Sequence, residues 1–165
     1  MKLKKVHLML FVMAVIAIVF SGCSKKPDEG VKCTFCKMMV KLPENAQGAK
    51  IVFKDGSEEY YCCLAHALMG WRIEILEEAE PENPPVEILV VDYGRKEIID
   101  ARKATFVFGS DVPARMFAKS VVAFESESDA ENFAAGHGGE VMDFESIGER
   151  NLTEMKEAQG SHEKE

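Results

Sequence analysis

Two short stretches of the chain gather side chains that could hold a soft metal ion or carry out thiol chemistry. The first is Cys33-Thr34-Phe35-Cys36-Lys37-Met38-Met39. A C-x-x-C spacing lets both sulfurs converge on one point, and Met38 adds a thioether two positions on. Thiolates alone suit zinc or an iron–sulfur cluster. Thiolate with thioether is the soft set that favours Cu(I), because zinc seldom takes methionine sulfur. The second stretch is Cys62-Cys63-Leu64-Ala65-His66, in which Cys62 and His66 stand one helical turn apart on a common face. Cys33, Cys36, Cys62 and His66 together read C-x2-C-x25-C-x3-H, the spacing of a treble-clef-like metal knuckle.

Further donors lie later in the chain. Met116 sits in the Pro-containing loop Ser110 to Met116, where no periodicity asks for an apolar side chain, and it joins Met38 as a candidate ligand. His137, in Gly136-His137-Gly138-Gly139, is either a ligand or a histidine placed favourably at a helix C-terminus. Met69 and Met142 fall in apolar-patterned elements and read as core. His7 and His162 are given no role. The sulfurs admit other uses. Exported thiols oxidise unless occupied, so Cys62 or Cys63 could pair with Cys33 or Cys36 in disulfides. A zinc-stabilised structural module would use Cys33, Cys36, Cys62 and His66. A thiol–disulfide oxidoreductase fits less well, because its C-x-x-C opens a helix after a buried strand and here the motif precedes the first strand.

The elements that must position these groups follow from patterning. Ala49 to Lys54 and Ser57 to Tyr61 alternate around Asp55-Gly56 and predict a hairpin, which runs into a helix from Cys62 with Gly70 as its stop. Residues 77–87, rich in Glu and Pro, read as a hinge. Strands are expected over 86–93, 97–101, 104–109, 120–124 and 140–144. The capping-box pattern Ser128-Asp129-Ala130-Glu131 predicts a helix over 130–135. The fold class is therefore α+β, two small ββα-type units with the metal knuckle in the first. A faint internal echo between the two units is too weak to establish duplication.

The chain opens with Lys2, Lys4 and Lys5, then an apolar run to Phe20 and Ser21-Gly22-Cys23. A basic start, an apolar stretch short of the roughly 20 residues of a membrane span, and small residues before a cysteine predict a cleaved lipoprotein signal over 1–22 with lipidation at Cys23. Residues 23–32 are then a tether, 33–147 the metal-binding domain, and 148–165 an acidic, disordered tail. The chain carries a net charge of −8, and −11 once the three leader lysines are removed. That balance disfavours nucleic acid and anionic lipid headgroups as partners. No acid–base group is placed beside a thiolate by the sequence, so no enzymatic activity is expected.

Cys33-x-x-Cys36-x-Met38 behind the lipobox, Ala104 to Ser110, and the closing Ala123-Phe124…Ala130…Phe133-Ala134…His137-Gly138-Gly139 resemble the NosL family over most of the chain to about residue 147. The resemblance implies a lipid-anchored, extracytoplasmic copper chaperone on the periplasmic or cell-surface face of a bacterial membrane. It implies delivery of Cu(I), copper arriving from an exporter, to a reductase, nitrous oxide reductase. It also implies copper ligation by Cys36 and Met38, with Met116 matching a later methionine, and a fold of paired ββα units. Lys37 departs from the family's usual glycine. Cys62, Cys63 and His66 add donors, which suggests a second site or a sister subfamily serving a different copper acceptor.

Overall fold

A computed structural model describes residues 30–69, 82–115, 119–150 and 153. The leader, Cys23, residues 70–81, Met116 and most of the expected tail lie outside the described residues. Among the described residues, no helix is long and apolar enough to cross a membrane.

Two short strands, β1 (Val31–Lys32) and β2 (Met39–Val40), form an antiparallel ribbon around the C-x-x-C turn, an element the sequence pattern did not suggest. The hairpin expected at Asp55-Gly56 is present as β3 (Ala49–Phe53) and β4 (Glu58–Tyr61). Gly56 turns it at φ +84°, where a side chain would be strained, and the Asp55 carboxylate accepts from the Ser57 N–H. In β3, Ala49, Ile51 and Phe53 point inward, the period of two that a half-buried strand requires. β4 leads through Cys62 and Cys63 into helix α1 (64–69), whose Leu64, Ala67 and Leu68 are buried.

The expected hinge near 77–87 does not divide one sheet from another. Strand β5 (Pro85–Val91) begins inside it and pairs with β3, and β6 (Ile98–Asp100) pairs with β5, giving an antiparallel sheet in the order β4-β3-β5-β6. Only β5 is apolar enough, through Ile88, Val90 and Val91, to sit beside β3 at the centre. After a 3-10 turn (Ala101–Lys103), β7 (Thr105–Phe108), β8 (Val121–Phe124) and β9 (Glu140–Met142) build a second sheet in the order β8-β7-β9. The plan of two strands then a helix therefore occurs twice, in β3-β4-α1 and in β7-β8 followed by helix α2 (Glu127–His137).

Helix α2 starts earlier than the capping box at Ser128 predicts. Ser126 is the N-cap and its hydroxyl accepts from the Asp129 N–H, so Ser128 falls inside the first turn. The Gly138-Gly139 pair has a packing cause: Gly138 caps α2 at φ +68°, and a Cβ on Gly139 would stand 2.9 Å from the Phe108 carbonyl oxygen. The last expected strand stops at Met142. Residues 144–150 form helix α3, which crosses the tail boundary expected at 148 because Ile147 is fully buried.

Alternation in β7 and β8 joins the layers. Phe106, Phe108, Val121 and Ala123 enter one core with Ile51, Val90, Leu64 and Ile147, whereas Val107, Val122 and Phe124 face Ala130 of α2. The sheets also meet through backbone: Tyr93 N–H donates to the Ala123 carbonyl, and Asp92 bridges the same residue.

Candidate metal centre

The knuckle is shaped by backbone hydrogen bonds. Cys33 N–H donates to the Met38 carbonyl at 2.8 Å and Lys37 N–H to the Cys33 carbonyl at 3.0 Å, which curls the turn and aims both sulfurs inward. Lys37 closes it at φ +63°, a left-handed conformation that costs a non-glycine residue energy. Its ammonium donates to the Thr34 carbonyl across the same turn. Thr34 N–H in turn donates to Tyr60 of β4, fastening the knuckle to the strand that delivers Cys62.

Cys62 follows β4 directly and precedes α1, so it reaches the cluster from the helix entrance rather than from the helix itself. His66 then arrives from the first turn of α1, and the Cys62 Sγ–His66 Nδ1 separation is 3.5 Å. Cys36 Sγ lies 3.4 Å from Cys62 Sγ, and the donor atoms of Cys33, Cys36, Cys62 and His66 all fall within 4.8 Å of one another. Donors held 2.0–2.3 Å from a shared tetrahedral centre stand about 3.3–3.8 Å apart; the Cys36–Cys62 and Cys62–His66 pairs have that spacing, and all four donors lie close enough together to be drawn onto one ion. The four described cysteines are free thiols, and 3.4 Å is a contact well beyond the roughly 2.05 Å of an S–S bond.

Burial is unequal across the four. Cys33, Cys62 and His66 are sealed from solvent, and Cys36 is half-exposed. The Phe35 ring stacks on the His66 imidazole at 4.5 Å while remaining 57% exposed, which covers the histidine from outside. Burial raises the Cys33 thiol, but the backbone N–H groups of Cys36, Cys62 and Phe35 outweigh it, and its pKa lies below the ordinary thiol value. Burial, with the hydrogen bond to Cys36 and the neighbouring thiols, pushes Cys62 far up. Cys63 is raised chiefly by burial, and burial lowers His66, keeping its imidazole neutral and able to ligate. One thiol is thus poised to ionise, and another holds its proton until a cation displaces it.

The remaining expected site residues are placed as follows. Met38, two positions after Cys36, is over a third exposed. Met116 lies outside the described residues, but its neighbour Arg115 donates to the Asn45 side-chain oxygen, and the Asn45 amide donates to the Cys62 carbonyl. The loop carrying Met116 is therefore tied to the residue that holds Cys62. Nothing in the spacing of Asn45 and Arg115, 70 positions apart, marked that clamp. His137 is outside the group of four. Its Nδ1 is 2.9 Å from the Asp111 carboxylate, its ring stacks on Phe133, and its carbonyl accepts from Asp111 N–H, so it fastens the 109–115 loop to the end of α2.

A family model described as NosL matches residues 24–152. The chain belongs to the NosL family. The resemblance carried by Cys33-x-x-Cys36-x-Met38 and the His-Gly-Gly stretch is thereby established, and so is the α+β class with its knuckle. The copper-binding lipoprotein NosL of Stutzerimonas stutzeri is 27% identical over 172 aligned residues, covering 90% of this chain and 85% of its own. The crystal structure of the copper chaperone NosL from Shewanella denitrificans superposes with a TM-score of 0.56 at 21% identity, over 74% of this chain and 92% of that one. The solution structure of apo-NosL from Achromobacter cycloclastes gives a TM-score of 0.43 at 25% identity, over 58% and 81% of the respective chains. The first of these is described as a copper-binding lipoprotein and the second as a copper chaperone.

Proposed function

We propose that this NosL-family chain is a lipid-anchored, extracytoplasmic Cu(I) chaperone. It is held at a bacterial membrane through Cys23, takes copper near an exporter and passes it to a copper-accepting reductase, of which nitrous oxide reductase is the candidate acceptor. The observation that carries the reading is the sulfur-rich cluster of Cys33, Cys36, Cys62 and His66, in which Cys36 alone reaches the surface; the exposed Met38, two positions on in sequence, is the thioether candidate. Thiolates satisfy Cu(I) in low coordination number, so Cys36, Met38 and one of the buried donors hold the ion without needing all four. Met116, from the loop clamped through Arg115 and Asn45, is a second thioether candidate. No covalent bond in a substrate is made or broken, and the copper is cargo.

Anaerobic, reduced protein titrated with Cu(I) against a chromophoric chelator should bind one equivalent, with sulfur scatterers in its X-ray absorption spectrum. Cys36→Ser and Met38→Ala should weaken binding. Unchanged affinity in both variants would sink the copper reading. A second reading has its own support. Cys33, Cys36, Cys62 and His66 form the three-sulfur, one-nitrogen set of a closed structural zinc site. In that case metal removal would unfold the chain, whereas a carrier stays folded when empty.

A further inference from the structure

The ribbon around the knuckle has a surface unlike the rest of the molecule. Among the described residues six large hydrophobic side chains are exposed, and four of these, Val31, Phe35, Met38 and Met39, fall within nine consecutive positions. Cross-strand register places Lys32 opposite Met39, so a lysine and the most exposed strand methionine share one face. From Gly30 to Leu42 there are three lysines and no acid, in a chain whose net charge is −8. Phe35 has one ring face against His66 and is otherwise outward. Apolar tips among lysine stems match the boundary between lipid headgroups and acyl chains, where the stems lie along apolar surface and the ammoniums reach phosphate.

We propose that this ribbon, residues 30–42, rests on an anionic lipid bilayer, with Phe35 and Met39 entering the headgroup region and Lys32 and Lys37 meeting lipid phosphates. The proposal rests on the reading that the leader or the lipid on Cys23 attaches the chain to a membrane. Only seven residues separate Cys23 from Val31, and the eight steps between them span at most about 30 Å when fully extended. Among the described elements the ribbon is therefore the one nearest Cys23 along the chain. The lysine-rich segment is attracted to anionic headgroups from which the acidic remainder is repelled. A ribbon so placed brings Cys36, the least buried of the four donors, close to the plane from which membrane-bound copper would be released.

The full chain is reconstituted into vesicles of phosphatidylglycerol and phosphatidylethanolamine carrying brominated acyl chains. Met39→Trp and, as a second reporter, Val31→Trp are compared with Glu131→Trp on exposed α2, all in a Trp71→Phe background. The ribbon reporters should be quenched at least about threefold more than the control. The difference should shrink in phosphatidylcholine vesicles and at high salt. Equal quenching at 39, 31 and 131 in a chain that stays with the vesicles overturns the proposal and leaves the anchor standing. Failure of the chain to enter the vesicle fraction overturns both. Protection of Met39→Trp from aqueous iodide by a co-purifying protein, without quenching by brominated lipid, makes the ribbon a protein interface and also overturns it.

Discussion

Asp92 is the residue whose removal should damage this fold most for its size. The residue is 1% exposed at the point where the two sheets meet, and both carboxylate oxygens accept from backbone N–H groups. Oδ1 accepts from Arg95 N–H at 2.7 Å, turning the β5–β6 connection, and Oδ2 accepts from Glu125 N–H at 2.8 Å, at the exit of β8. Hydrogen bonds to a charged acceptor contribute about 1.5–3 kcal/mol each, and Asp92→Ala forfeits two. The alanine variant recovers the desolvation cost of the carboxylate, which offsets part of the loss, so the net destabilisation should be about 2–4 kcal/mol. At about 2–4 °C per kcal/mol for a chain of this size, the melting temperature should fall by roughly 5–15 °C. Asp92→Asn should do little better, because its amide nitrogen would face one of the two N–H donors. Arg95 provides the contrast. Its guanidinium pairs with Glu125 and, at 2.9 Å, with Asp129, all solvent-exposed. Arg95→Ala should therefore shift melting by only a small fraction of the Asp92 effect. Thermal unfolding of the metal-free chain followed by circular dichroism measures all three. A melting temperature for Asp92→Ala within a degree or two of the parent would show that water satisfies the orphaned N–H groups, and the argument for a carboxylate latch would fail.

Lys37→Gly should stabilise the empty chain by about 1 kcal/mol, because glycine adopts the φ of +63° without penalty; denaturant unfolding checks it, and Lys37→Ala should bring no such gain. Ile147→Ala, at a fully buried position of α3, should cost about 2–4 kcal/mol by the same measurement, and a smaller loss would mean that α3 does not dock. Burial lowers the pKa of His66 below its ordinary value of 6.5, so the folded chain keeps it neutral where the unfolded chain takes up a proton. That contribution is complete above 6.5 and shrinks as pH falls below it, so the empty protein's melting temperature should drop over that window less steeply in His66→Asn. Metal uptake should release protons from thiols and none from His66, since Cys62 is held protonated and the imidazole is already neutral; calorimetric titration in buffers of differing ionisation enthalpy reads the number.

Much of the centre could be read from spacing, because a knuckle is a local object. C-x-x-C fixes two donors within one turn, and Cys62 and His66 lie close in sequence, so the donors needed only one long-range pairing, knuckle against β4. The same locality explains the hairpin at Asp55-Gly56 and the inward set Ala49, Ile51 and Phe53. What escaped was decided by contacts remote in sequence. The Glu- and Pro-rich segment reads as a hinge, but Pro85 to Val91 is drawn into the centre of the first sheet by β3. Residues 148–150 look like tail by composition, and one buried side chain, Ile147, recruits them to a helix. His-Gly-Gly left His137 open between a ligand and a histidine at a helix end; the partners that place it there, Asp111 for His137 and the β7 backbone against Gly139, are remote in sequence. The Phe35–His66 stack and the Asn45–Arg115 clamp had no sequence signal, since neither pair obeys a helical or strand period.

A four-donor site and a carrier make opposite demands, and the unequal burial of the donors reconciles them. A closed site with all ligands buried releases its ion only when the fold opens, at a cost comparable to global stability. Here three donors are sealed and anchored: Cys33 by the turn's backbone bonds, Cys62 by Asn45, and His66 under Phe35. Cys36 is held by neither clamp nor cover. An incoming thiolate can approach only on its side, so exchange on the chaperone reading begins with Cys36 and proceeds inward with the remaining donors still holding the ion. Zinc, which favours all four ligands at once, gains nothing from that asymmetry, whereas Cu(I), content with two or three soft donors, can leave stepwise. The ratio of metal off-rates in Cys36→Ser and Cys62→Ser separates the cases. A stepwise carrier should lose its accelerated, partner-dependent release when Cys36 is changed, and a closed structural site should be equally crippled by either substitution.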